Sequence, residues 1–178
     1  MLNDLLYNKK TAYIAVVLMI IISVFILGGN SLIEHRERVV LAMSGQNEFD
    51  VNVFTESAII NANGANLLVV SNRYLDGSDE LITNVSDALN ESFESELQRA
   101  VKVVFYAERL IDELSSKEIS EASRVHLTEI EGNIYSALFR IELSGYNALA
   151  VEFNRLIANP YTSLIATVRG VYGFFVID

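Results

Sequence analysis

From Thr11 to Ile33 the chain runs for 23 residues, TAYIAVVLMIIISVFILGGNSLI, without a charged side chain. About 20 apolar residues in a helix reach across the ~30 Å of hydrocarbon in a bilayer. This run therefore constrains the fold first, because backbone polar groups in lipid are satisfied only inside a helix or a closed barrel. Tyr7 and Tyr13 stand where an interfacial aromatic belt would form. A cleavable signal peptide is the competing explanation. It would carry a shorter apolar core ending in a small-x-small site, and Leu27-Gly28-Gly29-Asn30 is a poor one. Residues 11–29 are accordingly expected to form a retained transmembrane helix behind a short flank, residues 1–10. Lys9, Lys10 and the amino terminus precede the span, and Arg36 and Arg38 follow it. That balance leans towards the amino terminus inside the cell and the body outside.

The remainder is helical by pattern. One proline, no cysteine and no tryptophan in 178 residues disfavour loop-rich or disulfide-stapled scaffolds. Over residues 79–114 apolar side chains recur at three- and four-residue spacing, from Leu81 and Val85 to Leu110 and Leu114. Asp76-Gly77-Ser78-Asp79 supplies a turn with Ser78 or Asp79 as N-cap. A second helix is expected over 116–157, with His126 on its apolar seam, ending before Pro160 because the residue ahead of proline leaves the helical region. The two would form a long hairpin. Residues 30–75 read as helix interrupted near Gly45–Glu48, with Asn61-Ala-Asn-Gly64 as a weak stretch. Together these give an all-α fold: an N-terminal transmembrane helix, then a long antiparallel bundle of three to four helices over 30–160. Residues 161–178 would form an apolar tail helix lying on the bundle or at the membrane interface. Arg169 argues against a second span there.

Charge excludes one class of partner. From Asn30 onward 22 acidic residues face 11 basic ones. A body so acidic lacks the clustered lysine and arginine that neutralise phosphates, so no nucleic acid is expected.

One repeat stands out. Tyr146-Asn147 is followed seven residues later by Phe153-Asn154, which puts both rings on one line of a helix and both asparagines on the next. The rings would fill gaps between helices, while the asparagines bond to facing backbone or side chains and fix register. A surface recognition patch is the alternative. Asn30 would meet this region if the helices return antiparallel.

These blocks resemble the LemA family of bacterial membrane proteins. A family pattern of the form YNxLxxxRxxVxxAWS is similar to Asn30, Leu32, Arg36, Val39, Ala42 and Ser44, with Gly29 and Met43 in place of the tyrosine and tryptophan. NLVxxVxxY resembles Asn66-Leu67-Leu68 through Tyr74. YNxxVxxYNxxIxxFP resembles Tyr146, Asn147, Phe153, Asn154, Ile157 and Pro160. The resemblance implies a single-pass membrane protein of the bacterial cell envelope with a long helical bundle, and it implies no reaction.

The residues themselves offer no chemistry either. A di-iron bundle needs Glu-x-x-His on two helices, but Ser123 and Leu32 stand three before His126 and His35. Glu91/Glu94 and Glu129/Glu131 are carboxylate pairs of a kind that helix surfaces produce routinely. No nucleophile elbow, phosphate loop, dinucleotide fingerprint or zinc-protease motif occurs. The expectation is a non-enzymatic scaffold with no catalytic, metal or cofactor site, contacting lipid through residues 11–29 and a protein partner or its own copies through the bundle. The alternative is an extracytoplasmic sensory bundle working with a separate output partner.

Overall fold

The structure, a computed structural model, describes residues 9–93 and 95–177. Among the described residues seven helices follow one another and no strand forms: α1 Lys9–Met43, α2 Val53–Ser71, α3 Glu80–Asn90, α4 Glu96–Ser115, α5 Glu121–Leu143, α6 Tyr146–Ala158 and α7 Pro160–Arg169. The fold is all-α with a helical bundle, as the periodicity predicts. The chain divides into two compact units, one of the residues up to Val39 with Leu149–Phe174, the other of Val40–Ala148 with the tail from Phe175.

In the second unit α2 to α5 make an up-down-up-down bundle. Glu56 meets Arg140 at 2.8 Å, Asn63 meets Asn133, and Tyr74 just beyond α2 meets Ser123, so the numbering falls on α5 as it rises on α2. Asn61 donates to Glu96 and Gly64 abuts Val103, so α2 and α4 run parallel. Only a few residues separate Asn90 from Glu96 and Ser115 from Glu121, and connections so short make neighbouring helices reverse. Ile60, Leu67, Val85, Val103, Leu110, Leu114, Ile134 and Ile141 form a buried apolar interior. Each contributes about 1.5–3 kcal/mol by leaving water.

Several boundaries differ from the periodic pattern. The expected helix over 79–114 is two helices, because Ser95 starts a new one with a capping box. Its Oγ accepts from Gln98 N at 3.2 Å while Gln98 Oε1 accepts from Ser95 N at 3.1 Å. The expected helix over 116–157 breaks at Ser144-Gly145, where Gly145 adopts φ +70 and Ser144 Oγ accepts from Tyr146 N at 3.1 Å. The hairpin is also not a self-contained pair, since α4 and α5 both pack mainly on α2. His126 is exposed rather than on the seam, because Ser123 and Leu127 turn inward in its place; its Nδ1 lies 3.7 Å from Glu129. Asn61-Ala-Asn-Gly64 lies inside α2 instead of weakening it. A Cβ on Gly64 would stand 2.5 Å from Val103 Cγ1, so glycine here lets two helices touch.

The interruption after α1 falls at Ser44–Asn52, tied by one side chain. Asn47 Nδ2 donates to Ala42 O (3.0 Å) and Val51 O (2.6 Å), and its Oδ1 accepts from Phe49 N and Val51 N, both at 3.1 Å. Asn52 then caps α2, accepting from Phe54 N and Thr55 N.

In the first unit α1 is long and apolar enough to cross a membrane. α7 packs against it at Gly28 and Gly29. A Cβ on Gly28 would lie 2.9 Å from Ile165 Cδ1, and one on Gly29 2.9 Å from the Arg169 guanidinium. Asn159 caps α7 and Pro160 occupies its first turn, where a missing N–H costs nothing. The tail is not helical to its end. Gly170 adopts φ +63 and Val171 N bonds Ala166 O at 2.9 Å, closing α7, after which residues 171–177 are irregular.

Candidate functional site

The Tyr-Asn and Phe-Asn pairs lie on α6. Tyr146 and Phe153 are fully buried on one line of the helix, and Asn147 and Asn154 are half-buried on the next. Their partners are not a facing helix. In the first unit Asn154 Nδ2 donates to Phe174 O at 2.6 Å and its Oδ1 accepts from Phe174 N at 2.8 Å. Phe153 meets the Phe174 ring edge-on, centroids 5.4 Å apart. In the second unit Asn147 Nδ2 donates to Ile177 O at 2.9 Å and its Oδ1 accepts from Ile177 N at 2.8 Å. The Tyr146 hydroxyl donates to Phe175 O at 2.6 Å, and burial pushes its pKa up to about 12.

Each carboxamide therefore exchanges both bonds with a single tail residue, as a residue on a neighbouring antiparallel strand would. An irregular tail leaves its N–H and C=O groups without a ladder, and the asparagines supply one side of it. Seven helical residues rise ~10.5 Å, and three extended residues cover ~10 Å. Asparagines seven apart thus match tail residues three apart. Gly173 lets the tail approach, for a Cβ there would lie 2.8 Å from Asn154 Oδ1.

Of the other residues singled out by sequence, Asn30 is exposed on α1 and Pro160 opens α7. Glu94 lies outside the described residues. Glu91 instead pairs with Lys102, and Glu129 faces His126. Among the described residues no group of three or more histidine or carboxylate side chains is placed to hold a metal ion. What sequence reasoning missed was the tail backbone as the asparagines' partner. The signal available was Gly170 and Gly173 flanking two residues, a helix stop followed by a close approach.

Among the cavities that border the bundle, two differ in character. A polar groove of about 300 Å³ between α2 and α5 is lined by Asn63, Asn66, Arg73, His126, Glu129 and Asn133. An apolar one of about 540 Å³ is lined by Phe93, Val101, Lys102, Phe105 and Phe175. Comparison with protein-family models, with curated proteins and with solved structures finds no match to this chain.

Proposed function

We propose that this protein is a membrane-anchored, non-enzymatic helical scaffold of the bacterial cell envelope and a divergent relative of the LemA family. Residues 11–29 lie in the bilayer, the amino terminus is cytoplasmic, and the bundle stands outside to meet another protein or its own copies. The observation that supports this reading is the bareness of α1, whose apolar stretch is only 6% buried. Large apolar side chains from Tyr13 to Leu27 are exposed together. A patch of that extent in water drives aggregation, whereas in lipid it is at home. The predominantly apolar interior of the bundle favours a scaffold over a receptor.

The second reading, a sensory bundle with a separate output partner, draws on the polar groove between α2 and α5. Its size suits a small polar solute.

The test is alkaline carbonate washing of membranes from cells making the full chain, followed by in-cell crosslinking of the same protein. The anchor reading expects the chain to stay with the membrane, and release by carbonate would refute it. The scaffold reading expects a defined protein, or the chain's own copies, in the crosslinked product. A chain crosslinked to nothing, yet stabilised by a small polar solute, would transfer the assignment to the sensory reading.

A further inference from the structure

We infer that α7 and Tyr172 form a second lipid contact, a collar dipping into the headgroup region where the span leaves the bilayer. The inference rests on the reading of α1 as a membrane span and adds a surface to it. One face of α7 is already used: Ile165 and Ala166 are buried, and Ile165 touches Gly28 of α1. A different face is bare. Tyr161 is 85% exposed, Leu164 58% and Val168 66%, and Tyr172 just past the helix is 80% exposed. At 100° per residue Tyr161, Leu164 and Val168 fall within an arc of ~60°. Ser163 and Thr167 occupy the remaining side. A helix that turns large apolar side chains outward beside its packed face has an unmet partner.

That partner is lipid rather than protein because of where α7 sits. The exposed apolar run of α1 ends at Leu27, and α7 packs on the next two residues, Gly28 and Gly29. The two bare surfaces are therefore consecutive along α1. The level is that of the bilayer boundary, where tyrosine is favoured and short helices bury an apolar face among headgroups. Arg169 sets its guanidinium against Gly29 at this boundary, where a long basic side chain lays its stem along apolar surface and points its head towards water.

The chain has no tryptophan, so one introduced ring reports its own surroundings. Full-length Leu164→Trp, Met19→Trp and Phe139→Trp proteins are reconstituted in phosphatidylcholine vesicles carrying bromines shallow or deep in the acyl chains. All three positions are exposed, so a larger side chain is accommodated. The collar expects Leu164→Trp to emit to the blue and to lose most of its emission to the shallow quencher. Met19→Trp should be quenched by the deep one, and Phe139→Trp on the bundle by neither. Quenching at 19 without quenching at 164 overturns the collar while leaving the anchor intact. No quenching at 19 overturns the anchor and the collar with it. Blue emission at 164 that no bromolipid quenches means a protein covers this face, and overturns the proposal.

Discussion

Replacing Asn154 with alanine deletes both hydrogen bonds to Phe174, at 2.6 and 2.8 Å. Each bond contributes a net ~0.5–1.5 kcal/mol, so the pair holds this part of the tail by about 1–3 kcal/mol. The edge-on contact of Phe153 with Phe174 survives the substitution and retains a further ~0.5–1.5 kcal/mol. The tail should therefore open more often without being lost. At a factor of ten per 1.4 kcal/mol, the open population rises about 5- to 150-fold. Hydrogen exchange followed by NMR reads this directly, because the Phe174 amide is itself one of the bonded groups. Its exchange should accelerate by that factor, while amides of buried residues such as Ile60 and Leu110 keep their wild-type rates. An unchanged Phe174 rate would show that the carboxamide does not hold the tail. A rate that accelerates in step with the bundle amides would show that Asn154 supports the whole fold and not a local clamp.

Three further outcomes follow from the packing. Gly64→Ala drives a methyl to 2.5 Å from Val103, an overpacking of about 1–3 kcal/mol that ~1 kcal/mol of better helix propensity only partly offsets. Urea melts should show a net loss near ~1 kcal/mol that is smaller in the Val103→Ala background, and a gain in stability would contradict the close approach. Ser95→Ala removes the cap of α4 and should cost about 1 kcal/mol; Gln98→Ala on top of it should cost less than alone, since both belong to one box. Tyr146 is buried with a pKa raised to about 12, above its unfolded value near ~10. Its protonated form is favoured on folding, so this stability is complete below pH ~10 and is lost as pH rises through 12, up to ~3 kcal/mol. Alkaline melts of wild type should fall more steeply in that window than those of Tyr146→Phe, and parallel curves would refute the assignment.

Helices declare themselves locally, because each N–H bonds a carbonyl four residues back and each apolar stripe repeats every 3.6 residues. That is why the long apolar first helix, the helical class and the stop before Pro160 are legible in order along the chain. Some breaks were legible too, and periodicity hid them. Ser95-Glu-Leu-Gln98 is a capping box in plain sequence, yet the three- and four-residue spacing runs on through it. At Ser144-Gly145 the buried stripe changes phase, from Ile134, Ala137 and Ile141 to Tyr146, Ala150 and Phe153, roughly 140° further round, but apolar residues at Ala148 and Val151 continue the old spacing and mask the shift. His126 illustrates the opposite error, since a seam displaced by one residue exchanges inside for outside.

The asparagines mark the limit of that local information. A sequence of its own accord dictates that Asn147 and Asn154 share a helix face and that two aromatic rings lie beside them. It does not say which backbone they will bond, because a carboxamide binds any unpaired N–H and C=O that arrives at the right spacing. Only the folded chain brings Phe174 and Ile177 to them, after Gly170 has ended α7 and left the tail without hydrogen bonds of its own. Gly64 follows the same rule: a poor helix residue in isolation becomes the point where α2 and α4 touch. Local bonding and periodicity belong to the sequence, whereas partners far apart in the chain are chosen by which surfaces and polar groups the packed helices leave unsatisfied.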